Sequence, residues 1–248
     1  MVLQETQNNL YLKEGHINYE SPIIMLSSML FWRLFYILCR FLLPNKIPEY
    51  SARISSAVHG LVSAFLGINQ CFLVDWPFDH PEWKTTYMQS FILAFSFGYF
   101  AHDLIWTWHN DRRDKLMVCH HAYCVYALAK ISYKGYSGAQ ASCALGSMEI
   151  TNPFQQARWF LRSEGMQFTP IFVSTEVTFF IVFVIVRILL GTYFLKVILT
   201  QPKNDWDFIF MAVSIYVMSW MFVVTLIKYI LKKYVKKGPG RELQKDHD

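Results

Sequence analysis

Residues 171–198 read IFVSTEVTFFIVFVIVRILLGTYFLKVI, and residues 208–231 read FIFMAVSIYVMSWMFVVTLIKYIL. A helix that crosses a bilayer needs about 20 largely apolar residues, and both stretches exceed that. Five further blocks, near 23–43, 53–74, 87–108, 116–133 and 138–157, follow the same rule less cleanly. The block GAQASCALGSMEITNPFQQA is the weakest, because Glu149, Asn152 and Pro153 interrupt it. Irregular backbone is tolerated at bilayer depth only where protein or a cavity surrounds it. The expectation is therefore an all-α, polytopic membrane bundle of about seven transmembrane helices, six if the fifth is re-entrant.

Composition agrees. Of the 248 residues, 54% are hydrophobic and only 17% charged, against about 25% charged in soluble domains. The mean hydropathy is +0.23. Residues 1–21 form a polar segment without the apolar core of a signal peptide, 22–237 form the transmembrane domain, and 238–248 a polar tail.

Charge orients the chain. With seven crossings, Arg40, Lys46, Arg53, Arg112, Arg113, Lys115, Arg158, Arg162 and the basic tail fall on one side. Lys13, Lys84, Lys130, Lys134, Lys196 and Lys203 fall on the other. The richer side faces the cytoplasm, which puts the carboxy terminus there. Lys228, Lys232, Lys233, Lys236 and Lys237 suit anionic lipid headgroups, and nothing in this cluster points to nucleic acid. The five cysteines follow no paired metal-ligand spacing and read as separate small buried hydrophobes.

Ionisable residues at bilayer depth cost roughly 2.5–3.5 kcal/mol each on insertion scales, so each needs a reason. His59, His102, Asp103, the adjacent pair His120 and His121, and Glu149 supply six such groups on four blocks. Ser142, Glu149, Asn152 and Gln156 recur at spacings of seven, three and four, which puts them on one helical face. A shared polar cavity explains the whole set, and interhelical hydrogen bonding explains any member taken alone. The candidate lining is His59, His102, Asp103, His121, Glu149, Asn152, Gln156 and Arg158. If the chain is an enzyme, His120, His121 and Glu149 are the catalytic candidates, an imidazole acting as base or nucleophile. Adjacent histidines point about 100° apart on a helix, so no metal site is expected. Arg33 and Arg187 read as structural counter-charges. Gly60, Gly67 and Gly98 read as points of close helix approach.

Four motifs, taken together, resemble a known family. They are His59-Gly-Leu-Val-Ser63, GYFAHDLIW (98–106), CHHAYCVYAL (119–128) and SMEITNPFQQARWFLRSEG (147–165). Their order and placement are similar to those of the TLC domain, over about Ile47 to Lys237. The resemblance implies a multi-pass protein concerned with membrane lipids, in the endoplasmic reticulum first and the plasma membrane second. Among TLC proteins, ceramide synthases carry a His-His pair similar to His120-His121, followed by aspartates on the next helix. Here that helix reads Gly146-Ser-Met-Glu149-Ile-Thr-Asn152. The leading expectation is a non-enzymatic lipid handler with no cofactor. The alternative is an N-acyltransferase using His120-His121 with acyl-coenzyme A as co-substrate.

Overall fold

The computed structural model describes residues 21–73, 75–111 and 114–236. Lys237, Arg112, Arg113 and the polar ends, all used in the sequence reading, lie outside the described residues. Nine α-helices account for most of the described chain: α1 Ser21–Leu42, α2 Pro48–Asn69, α3 Tyr87–Asn110, α4 Lys115–Lys134, α5 Gly138–Glu149, α6 Thr151–Ser163, α7 Pro170–Val184, α8 Gly191–Thr200 and α9 Trp206–Ile230. A π-helical turn, Ile185–Leu190, joins α7 to α8 without a loop. A second, Leu231–Lys236, extends α9.

The helix boundaries follow local chemistry. Pro48 and Pro170 open α2 and α7 at the position where a missing N–H costs nothing. Thr86 caps α3 reciprocally with Gln89. Gly135 closes α4 in the left-handed region, at φ 76°, which a residue without a Cβ adopts freely. The break between α5 and α6 falls at Ile150. Pro153, three residues on, lacks the N–H that would bond the carbonyl of Glu149. The interrupted fifth block is thus a helix kinked at its proline.

Three helices are long and apolar enough to cross a membrane by themselves: Pro22–Leu42, Pro170–Thr200 and Trp206–Tyr234. The helices α2 to α6 are more polar because they carry the buried polar seam. Ser51, Ser55, Ser56, Ser63, Ser96 and Ser142 are all buried within it.

Two opposite ends can be traced through the contacts. At one end Lys46, between α1 and α2, lies 2.6 Å from Glu164, between α6 and α7. At the other, Lys203 lies 3.0 Å from Glu82, Lys134 pairs with Asp205, and Lys84 bridges to Tyr136. The described helices therefore run back and forth between these two ends.

Helices α2 and α5 touch backbone to backbone. A Cβ on Gly67 would stand 2.5 Å from the Ser142 carbonyl oxygen and 2.6 Å from the Gly146 Cα. Gly60 and Gly98 also face close neighbours, Asn152 and Ser28. Beside the α2–α5 contact, Cys71 and Cys143 form a disulfide, their Cα atoms 4.9 Å apart. This corrects the reading of all five cysteines as separate hydrophobes. Their spacing along the chain carries no sign of pairing, because only the α2–α5 contact brings them together. Cys39 and Cys124 are buried thiols, and Cys119 is exposed.

Candidate ligand cavity

A cavity of about 730 Å³ opens between the amino-terminal turns of α2, the α3–α4 connection, α6 and the inner faces of α7 and α9. Its mouth includes Glu49, Arg53, Asp111 and Asp114. This is the end that carries Lys46 and Glu164. The cavity runs inward from there to His121, Glu149 and Arg187.

On one wall, α4 presents His121 to Asp103 of α3, with Nδ1 3.1 Å from the carboxylate. That contact is not a hydrogen bond, and Nδ1 has no hydrogen-bond partner among the described residues. His120 turns toward the Cys124 sulfur and the edge of Phe222, and both histidines reach the cavity. Their rings are 5.6 Å apart, centroid to centroid.

The kinked α5–α6 segment forms the opposite wall. Asn152 donates to Glu149 Oε2 at 3.0 Å and to the Ser56 carbonyl at 3.2 Å. Gln156 donates to Asn152 Oδ1 at 2.8 Å and to Ser56 Oγ at 2.9 Å. Such a network fixes the carboxamide orientations and leaves Glu149 as an acceptor at the cavity floor. Breaking the helix at Ile150 keeps Glu149, Asn152 and Gln156 on the cavity wall. Ser142 instead packs against Gly67, away from it.

Several candidates occupy other places. His59 is fully buried and stacks on Tyr99 at 3.9 Å, behind the cavity wall, with Nδ1 3.7 Å from Glu149. Neither of its nitrogens has a hydrogen-bond partner among the described residues. His102 faces Tyr36 on α1, 5.6 Å between ring centroids, and does not line the cavity. Arg158 does line it, and its Nε donates to Glu176 at 2.8 Å. Glu176 also accepts from Tyr229, Lys233 and Tyr234. This clasp holds α6, α7 and the end of α9 together at the mouth. Lys233 thus bonds inward, while Lys228 and Lys232 are exposed. Among the described residues no three His, Cys, Asp or Glu side chains converge as a metal site.

Sequence reasoning missed Arg187 as a cavity residue. It reached the charge but assigned it to structure, because the π-helical turn that swings it inward has no sequence signature.

This arrangement can be set beside known proteins. The TLC domain model matches residues 49–235. The chain belongs to the TLC domain family. Among curated TLC proteins, the chain is 28% identical to TLC domain-containing protein 4-B of Danio rerio over 62% of its own length and 60% of that relative's. It is 26% identical to TLC domain-containing protein 4 of Xenopus tropicalis, covering 82% of this chain and 83% of the relative. The first match thus spans three-fifths of the zebrafish protein, whereas the second runs through most of both TLC chains.

Proposed function

We propose that this TLC-domain protein binds a membrane lipid in the cavity and contributes to membrane lipid homeostasis, sensing or transport. The observation that carries the reading is a cavity of about 730 Å³ with ionisable groups on its floor, inside a bundle of membrane type. Apolar walls from Phe179, Phe183 and Phe222 stand beside His121, Asp103 and Glu149, a pairing that suits an amphiphile. In this reading the chain crosses seven times with its carboxy terminus in the cytoplasm. The disulfide supports that orientation: Cys71–Cys143 lies toward the end opposite the basic loops, and disulfides persist on the oxidising side of a membrane. The endoplasmic reticulum is the favoured site, with the plasma membrane second. Within the family, WPFDHP (76–81) and MEITNPFQQARWFLR (148–162) point toward TLC domain-containing protein 5.

The test is retention. Protein purified in mild detergent carries a lipid detectable by mass spectrometry, and His121→Ala or Glu149→Ala lowers its amount. Unchanged retention together with an unchanged cellular lipid profile in both variants refutes the reading.

One observation favours a second reading, an N-acyltransferase. His121 faces the cavity with the Asp103 carboxylate 3.1 Å from its Nδ1, close enough for a small ring rotation to make the hydrogen bond by which a carboxylate orients a general base. Turnover of acyl-coenzyme A with an amine acceptor by reconstituted protein, lost in His121→Ala, establishes it. A panel of donors and acceptors with no turnover removes it.

A further inference from the structure

Arg187 lies roughly 26 Å along the helix from Pro170, at about 1.5 Å per residue, deep in a segment long enough to cross the bilayer. A guanidinium at that depth needs partners for five donors. The other arginines of the cavity have theirs: Arg53 bonds Glu49 at 2.9 Å and Arg158 bonds Glu176 at 2.8 Å. Among the described residues Arg187 has no carboxylate within 4 Å, and its buried Nε has no hydrogen-bond partner. Glu149 and His120 line the same cavity.

The backbone reinforces the point. Arg187 sits within the π-helical turn Ile185–Leu190, and such turns inside α-helices occur frequently at functional sites. Around it stand Phe183, whose ring lies 5.8 Å from the guanidinium carbon, and Phe222. An isolated cationic fork at the inner end of an aromatic-walled cavity matches a planar or tetrahedral oxyanion on an apolar body.

We propose that Arg187 anchors the oxyanion, carboxylate or phosphate, of an amphiphile that enters the cavity from its polar mouth. This deepens the lipid reading above and depends on it. His121 and Asp103, which line the same cavity, then contact the rest of the ligand. Glu149 offsets the arginine's charge from beyond contact distance when no ligand is bound.

The experiment compares matched pairs on the full-length protein in detergent: radiolabelled oleate against methyl oleate, and dioleoyl phosphatidate against dioleoylglycerol. The expected result is at least tenfold greater retention of one acidic member than of its neutral partner. Arg187→Gln abolishes that preference, and Arg187→Lys keeps part of it. Equal retention within both pairs by the unmodified protein overturns the proposal and leaves lipid binding standing, and it does so even if Arg187→Gln fails to fold. A preference that persists in folded Arg187→Gln overturns it too. Retention of no amphiphile at all overturns both readings. Displacement of the acidic lipid by millimolar inorganic phosphate supports the oxyanion site and overturns its lipid source.

Discussion

Lys233 Nζ lies 2.6 Å from Glu176 Oε2, and that carboxylate, fully buried, is shared by Arg158, Tyr229 and Tyr234. One acidic residue on α7 therefore ties α6 and the extended end of α9 to the cavity mouth. Glu176→Gln keeps the shape and removes the charge, leaving two cations facing a neutral amide. Removing one partner of a buried pair costs about 3–5 kcal/mol. We expect the lower end here, about 3 kcal/mol, because Arg158 and Lys233 are each about a fifth exposed. The measurement is thermal stability in detergent. An unchanged melting temperature would show that the clasp contributes nothing.

The disulfide predicts a thiol count. In the folded protein without reductant, a bulky maleimide labels Cys119 quickly, because Cys39 and Cys124 are buried. Denaturation raises the count to three, and reduction to five. A non-reduced digest yields one cross-linked peptide joining Cys71 to Cys143. Cys71→Ser lowers stability by about 2–4 kcal/mol, the usual range for a native disulfide, and Cys143→Ser matches it. Five thiols labelled in denatured but unreduced protein would refute the bond.

Gly67 and Gly146 predict an intolerance. The atoms that a methyl group at Gly67 would strike belong to backbone, so they cannot swing aside as a side chain could. Gly67→Ala should cost more than the 1–3 kcal/mol typical of core overpacking, read as loss of monodisperse protein on size exclusion. A well-behaved Gly67→Ala protein, with its disulfide formed, would mean that the two helices lie further apart.

Asp103 and His121 predict coupling. If the carboxylate acts by holding the imidazole, Asp103→Asn and His121→Ala each lower lipid retention, and the double variant loses no more than the worse single one. Residues in contact show such non-additivity, whereas independent sites add within about 0.5 kcal/mol. Full additivity in retention assays would separate their roles.

Much of the fold could be read from the chain because apolar blocks and interrupting charges are one-dimensional signals. The blocks around 23–43, 87–108 and 208–231 fall on α1, α3 and α9 within a few residues. The cavity was partly legible for the same reason: Asp103, His121, Glu149, Asn152, Gln156 and Arg158 all line it. His102 does not, since two adjacent residues on a helix face different directions, and only Asp103 of that pair turns inward. His59 lies one layer behind, stacked on Tyr99. Cys71 and Cys143 were invisible as a pair because they are separated by 72 residues and meet only through tertiary packing. Arg187 was not among the expected cavity residues, because a regular 3.6-residue period does not anticipate where a helix will widen.

That widening has an arithmetic of its own. Each residue of an α-helix advances its direction by about 100°, and a π turn absorbs one extra residue relative to that schedule. Gly191–Thr200 is thus rotated by about one residue step from where a uniform helix begun at Pro170 would have put it. A shortening by one position within Ile185–Leu190 would restore a plain α-helix there and leave the faces of Gly191–Thr200 where they are. Sequence alignments of this segment to a relative with an unbroken helix accordingly need a single-position gap at this point.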